Sequence, residues 1–268
     1  MDLEALLQEM AAQSDQDFCP AKDIRAFEQI RNKANRDIPA HALMRIWREL
    51  RSLRITRAGP CAVSVFAPDD RQGYWDDARD YFGTCVSLLA RQTPNLALHE
   101  LFEKEASYAV LPWPEDGDPN PWWNYLVRET PETPKVLARI PLISAPNARR
   151  PDRPGLIVGR DNFKDAGAGE TLIVCETPYA VSRARILDSG RDSGIEILTI
   201  ASSPSQDPGQ AANISALHVV SVSGFWSAGA KALKQMRNKL AQDGREARLT
   251  IVGGYPVLAT EPSDLAGK

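Results

Sequence analysis

The sequence predicts a mixed fold, part α+β and part α/β, made of a helical arm, a small α/β lobe and a C-terminal unit of alternating strands and helices. Three observations carry that prediction. From Met1 to Arg57 the apolar residues recur three and four apart, which is the period of amphipathic helices. From Glu170 to Pro256 short β-rich runs alternate with helical ones in the order βαββαβ. The length of 268 residues, with 43% hydrophobic and 25% charged residues, is ordinary globular composition and has room for two or three small domains. The boundaries read 1–58 for the arm, 59–165 for the lobe, 166–260 for the C-terminal unit and 261–268 for a tail.

In the arm, Leu3, Leu6, Leu7 and Met10 share a helical face. The stretch from Gln13 to Pro20 interrupts it, and a second helix follows over Ala21 to Lys33 with Ile24, Phe27 and Ile30 on one side. Pro39 stands at the start of a third helix. There Leu43, Ile46, Leu50 and Leu53 form an apolar stripe with Trp47 beside it. That stripe needs a cover, and a homodimer is the expected one. The same helix carries arginine at every third position, Arg45, Arg48, Arg51, Arg54 and Arg57. At 100° per residue the row winds around the helix, so Arg45 and Arg48 are expected opposite the stripe and Arg54 and Arg57 back towards it. Two readings stand: a solvated face, or an anion grip by Arg54 and Arg57, since guanidinium suits a carboxylate.

In the C-terminal unit, Thr171 to Cys175 (TLIVC) is a short apolar run and Ile195 to Ile200 (IEILTI) alternates as a half-buried strand does. A helix is expected over Ala180 to Leu187, ended by Ser189-Gly190 and Ser193-Gly194. Strands follow over Ala216 to Phe225 and Arg248 to Val252. Between them Leu233, Met236 and Leu240 give one face of a helix over Lys231 to Gln242, stopped by Gly244. This is a ferredoxin-like βαββαβ order, with two helices covering one face of four strands.

A net charge of −3 and a pI near 5.7 provide no basic stripe, so no nucleic-acid partner is expected. No apolar run approaches the ~18 residues of a membrane span. Met1 to Met10 is acidic where a signal peptide would be basic, and a cytoplasmic protein is expected. Cys19, Cys61, Cys85 and Cys175 show no C-x-x-C spacing, and His41, His99 and His218 are scattered. Neither a metal site nor a disulfide framework is expected, and no cofactor. Glu115 and Asp116, set among Gly117, Asp118, Pro119, Asn120 and Pro121, read as an exposed turn rather than a catalytic pair. Trp113, Trp122 and Trp123 read as core, with ligand stacking the alternative.

Several motifs, in order, resemble the bifunctional chorismate mutase/prephenate dehydratase family. PAKDIRAFEQI (Pro20 to Ile30) and IPAHALMRIWREL (Ile38 to Leu50) look like the second and third helices of an AroQ-type chorismate mutase. AVSVFAPDDRQGYWDDARDYFG (Ala62 to Gly83) resembles the opening of a prephenate dehydratase domain. YAVLPWPEDG (Tyr108 to Gly117) and LIVGRD (Leu156 to Asp161) stand where that family has its YGVVPIENS-like segment and the strand after its TRF motif. In the C-terminal unit, SSP (Ser202 to Pro204) and VGGYP (Val252 to Pro256) take the places of ESRP and LGSYP in the family's ACT regulatory domain.

The resemblance implies chorismate, prephenate or an aromatic amino acid as the small-molecule ligand, and a place in Phe/Tyr biosynthesis. It also shows where the family's equipment is altered. Lys22 and Asp23 fall at the arginine and glutamate of the mutase REA motif, and Arg54 and Ala58 at the third-helix serine and glutamine. No Lys or Arg precedes Lys22. Either an upstream start supplies the missing first-helix cations, or mutase activity is weak or absent. Lys22, Asp23, Arg54 and Arg57 are thus the candidate catalytic residues. At the place of the dehydratase TRF threonine stands Arg153-Pro154-Gly155, and about 40 residues separate PWPEDG from LIVGR, too few for a second lobe. Dehydratase activity is not expected. In the ACT-like unit the Pro-Gly-Ala-Leu turn becomes Pro178-Tyr179-Ala180-Val181. Tyr179, Ala180, Val181, Ser202, Ser203 and Pro204 are the candidate ligand-binding residues. The expected function is a regulatory or assembly protein with weak or no catalysis. The alternatives are an active chorismate mutase completed by third-helix arginines or a partner subunit, and a small-molecule-binding ACT protein outside the pathway.

Overall fold

The computed structural model describes residues 8, 19–34, 38–68, 73–128, 130–143, 154–161, 163, 167–178, 181–203, 215–241 and 246–258. The helix expected around Met1 to Met10 and the stop at Gly244 lie outside these residues, apart from Gln8, which is helical. The arm contains α1 (Pro20–Lys33) and α2 (Ala40–Ala58). Proline at the first position of α1, where a missing N–H costs nothing, and the acidic Asp23 in its first turn suit a helix start.

The lobe runs β1 (Ala62–Phe66), α3 (Gly73–Phe82), β2 (Ser87–Arg91), α4 (Pro94–Phe102) and β3 (Tyr108–Pro112). A 3₁₀ turn (Trp122–Val127), β4 (Lys135–Ile140) and β5 (Gly155–Gly159) complete it. Thr93 caps α4 by accepting a hydrogen bond from Leu96 N at 3.2 Å, and Pro94 follows at the first turn. The C-terminal unit runs β6 (Gly169–Pro178), α5 (Arg183–Arg191), β7 (Ile197–Ser203), β8 (Ser215–Ser223), α6 (Lys231–Leu240) and β9 (Arg248–Pro256). The mixed fold class and the βαββαβ order expected from the sequence are those observed.

Among the described residues nine strands form one sheet, in the order β2-β1-β3-β5-β4-β9-β6-β8-β7. β2, β1 and β3 are parallel, with α3 and α4 as crossovers, and β5 and β4 run antiparallel beyond them. Within the C-terminal unit every pairing is antiparallel, β9 with β6, β6 with β8, and β8 with β7. The two halves join where β4 meets β9 in parallel at Val136 and Gly253. A Cβ at Gly253 would lie 2.3 Å from the Val136 backbone, and its φ of +149° favours glycine, so the first half of GGYP is what lets the sheets fuse. Lys135 Nζ seals the joint by donating to Ile251 O at 2.9 Å. The tyrosine of the same motif, Tyr255, is buried and donates to Glu170 on β6.

One face of the lobe packs on α3 through Val63, Val65, Val110 and Ile157 against Tyr74, Ala78 and Phe82. Its other face shares a core with the C-terminal unit. There Trp122, Trp123 and Leu126 lie against Leu172, Val174, Val219, Val252 and Tyr255. Trp122 and Trp123 are therefore core, as read, while Trp113 is half-buried at the rim. The opposite face of β6 and β8 is covered by α5 and α6.

Most element ends shift by a few residues from expectation, and two differences have a clear physical reason. α5 begins later and continues through Ser189-Gly190, because the turn closes only afterwards, when Ser193 N and Ile195 N donate to Gly190 O at 2.9 Å each. β4 has no counterpart in the sequence reading. Lys135–Ile140 is a short run between Pro134 and Pro141, and only its pairing with β5 and β9 makes it a strand.

Candidate functional site

Among the polar clusters of the described residues, two contain candidates singled out in the sequence. The first lies between α1, α2 and α3. Asp23 is only 3% exposed, with Arg51 Nε at 2.8 Å from Oδ1 and Arg48 Nη1 at 3.4 Å from Oδ2. Arg48 and Arg51 are themselves buried, and the Arg48 guanidinium sits 4.0 Å above the ring of Tyr81. Burial pushes the Tyr81 hydroxyl well above its ordinary pKa, against the pull of Arg48. Around the cluster Arg45 pairs with Asp80 at 2.6 Å, and Glu49 Oε2 accepts from Thr84 N at 3.0 Å and Thr84 Oγ1 at 2.8 Å. Gly83 closes against Ser52, where a Cβ would come within 2.6 Å. One face of α2 is thereby fastened to α3 and the turn after it.

This corrects the expected orientation of α2. The inward residues are Leu43, Met44, Trp47, Arg48, Arg51, Ser52 and Ile55, whereas Ile46 and Leu53 of the apolar stripe are 36% and 44% exposed. Arg48 is the arginine turned in, not out. The cause is Asp23: a buried carboxylate requires cationic partners, and these rotate the helix away from the face its leucines alone would choose. Of the candidate catalytic residues, Asp23 is buried in this ion-pair cluster, Arg54 is half-buried, and Lys22 and Arg57 are exposed. The structure brings Asp23 to Arg48 and Arg51 rather than to the other three.

The second cluster lies where the turn after β3 reaches the end of β7. Asp116 forms an ion pair with Arg183, and its Oδ1 accepts from Ser202 N at 3.0 Å. Arg183 Nε donates to Ser202 Oγ at 2.9 Å, and Ser202 Oγ lies 2.7 Å from His218 Nδ1. Gly117 N donates to Ser202 O at 3.0 Å. Hydrogen bonding from Ser202 N, aided by Arg183, holds the Asp116 carboxyl below the usual range. Burial, then the neighbouring Arg183, lowers the His218 pKa, so the imidazole is neutral near pH 7. His218 is 6% exposed, and among the described residues its Nε2 has no hydrogen-bond partner. A guanidinium, a main-chain N–H, a hydroxyl and a neutral imidazole in this arrangement can hold an anion.

Among the candidate ligand residues, Ser202 belongs to this cluster, Ser203 is buried, and Val181 packs in the core under α5 and α6. Tyr179, Ala180 and Pro204 lie outside the described residues. Sequence reasoning missed His218, read as one of three scattered histidines, and Asp116, read as part of an exposed turn. The turn is exposed, yet it carries an ion pair across 67 residues of chain. The available signal was alternation: His218 faces the same way as Val220 and Val222, the helix-covered side of β8. Among the described residues no cluster of three His, Cys, Asp or Glu could hold a metal, and no helix is long and apolar enough to cross a membrane.

No protein-family model matches the sequence, and no curated protein shows significant similarity to it. Among solved structures, the fold is similar to that of a protein described as "GqqA- a novel type of quorum quenching acylases", at 14% identity and a TM-score of 0.52, over 73% of this chain and 95% of that one. It is also similar to a prephenate dehydratase from Streptococcus mutans (14% identity, TM-score 0.46, 74% of this chain and 100% of that one). A third is the prephenate dehydratase from Arthrobacter aurescens in complex with L-Phe (15% identity, TM-score 0.48, 76% and 95%). At 14% identity the likeness to the first is one of fold.

Proposed function

We propose that this chain serves Phe/Tyr metabolism as a regulatory or assembly protein with weak or no catalysis of its own, acting as a homodimer on chorismate, prephenate or an aromatic amino acid as ligand. The observation that carries the reading is the buried Asp23–Arg48–Arg51 cluster. Chorismate rearrangement needs cations presented to a dicarboxylate and to the charge that develops on its ether oxygen. On α2 the two inward arginines face a carboxylate of the chain itself, and Lys22 and Arg57 point to solvent. The order of family-like motifs along the chain supports the pathway. The exposed Ile46 and Leu53 of α2 support the second subunit. In this reading the ACT-like unit is the ligand-binding part, through the Ser202 end of β7.

An active mutase is the competing reading, and Arg54, half-buried on α2, is the residue it would depend on. Consumption of chorismate by the purified chain separates the two. The expected turnover is below about 1 per second, the low end of ordinary enzymes. A faster rate, lost by tenfold or more in Arg54→Ala, would establish the mutase instead.

A further inference from the structure

We infer that Arg183, Ser202 and His218 form a binding site for a small carboxylate, and that Asp116 of the same chain fills that site until a ligand displaces it. The inference rests on the reading of the Ser202 end of β7 as the ligand-binding end, and adds the ligand's chemical class and its internal competitor. Asp116 shows what the site recognises. Its carboxylate receives the two donors that an incoming carboxylate would need, the Arg183 guanidinium and the main-chain N–H of Ser202. Arg183 opens α5 directly after its N-cap, Ser182, where free backbone N–H groups favour negative charge. Arg183 also donates to the Ser202 hydroxyl, which leaves that hydroxyl's own hydrogen for His218 Nδ1.

Two features distinguish this from a structural clasp. His218 is 94% buried, the complement of its 6% exposure, with Nε2 lacking a hydrogen-bond partner among the described residues. A buried polar atom without a partner is uncommon, so the imidazole that borders the Ser202 hydroxyl has hydrogen-bonding capacity that Asp116 does not use. Asp116 itself is only lightly held, since its side chain is 54% exposed and that of Arg183 44%. Exposed ion pairs add little to stability, so the turn can release at small cost. Gly117, beside it, has φ +73° and open space around it, and gives the turn room to move. Displacement would remove the side-chain ties of the turn that follows β3 and leave it on β7 through the main-chain bond from Gly117 N to Ser202 O, so that ligand binding is reported to the lobe.

The test is chemical replacement of the removed carboxylate in the full chain. Asp116→Ala should melt slightly below the wild type, and acetate at constant ionic strength should return its melting temperature to the wild-type value, with chloride as the control. Wild type should not respond, and Asp116→Ala/Arg183→Ala should lose the response. By calorimetry L-phenylalanine should bind Asp116→Ala at least tenfold more tightly than wild type; an acetate response without phenylalanine binding still supports the site, for a smaller carboxylate. Should Asp116→Ala not fold, Asp116→Asn, which keeps an acceptor for Ser202 N and drops the charge, takes its place. An acetate response in the variant no larger than in wild type would overturn the inference. Chorismate turnover is not read in this experiment, so an active wild type would defeat the proposed function and leave this result standing.

Discussion

Asp23 shows how one buried charge can decide the orientation of a helix. Two guanidinium groups converge on its carboxylate, and the 19-residue helix that carries them turns its leucine stripe partly outward to do so. On α3 a different carboxyl is perturbed. Asp77 is pushed up to about 6, first by burial and then by Asp80 and Asp76. A carboxyl whose folded pKa is raised binds its proton more tightly when folded, so it destabilises the fold as pH rises through about 4 to 6. Asp77→Asn is therefore expected to raise the melting temperature at pH 8 and to leave it unchanged at pH 3.5. His218 has the opposite sign. Its folded pKa is lowered, so the unfolded chain takes up a proton first, and stability present above about 6.5 declines as pH falls below it. His218→Gln should flatten the drop in melting temperature between pH 7 and pH 5.5, measured by calorimetry; an unchanged slope would show that His218 is not its source. Neither residue was legible as special in the sequence, because the first cause of both shifts is burial, which only the packing of the folded chain decides.

At the scale of elements, period and punctuation in the sequence were enough to place α1, α2 and all six elements of the C-terminal unit. They failed where neighbours rather than local pattern decide. Lys135–Ile140 becomes β4 through its partners, and α5 continues past Ser189-Gly190 because Gly190 packs under Ile197, where a Cβ would lie 2.7 Å from its side chain. The GGYP stretch was legible as a motif but not as a joint. Gly253→Ala tests that role, since the added methyl meets backbone on β4 and no side-chain movement relieves it. A loss of more than about 2 kcal/mol in urea unfolding is expected, as for other substitutions that combine strain with overpacking. Gly59→Ala, with nothing within 4 Å, is the control and should change stability by no more than about 0.5 kcal/mol. Equal effects at the two glycines would mean that β4 and β9 do not depend on that close approach.

For the whole molecule, arm, lobe and C-terminal unit are bound together by shared surfaces: α2 clasps α3, the 3₁₀ turn of the lobe fills the core under β6 and β8, and Leu258 beyond β9 packs with α1 and α2. What the sequence could not show is that Arg48 and Arg51 are directed inward, since a winding row of arginines is compatible with either a solvated face or a grip on a ligand. The proposed homodimer makes its own prediction. Sedimentation at micromolar concentration should give a dimer, and Leu53→Asp should give a monomer; a monomeric wild type would contradict it. The most direct test of the central claim, that the inward cations of α2 hold the fold rather than a substrate, is urea unfolding of Asp23→Ala beside Lys22→Ala. Removing one partner of a buried ion pair costs about 3–5 kcal/mol, and an exposed substitution less than about 0.5 kcal/mol. The account predicts the first loss for Asp23→Ala and the second for Lys22→Ala. Wild-type stability in Asp23→Ala would contradict it.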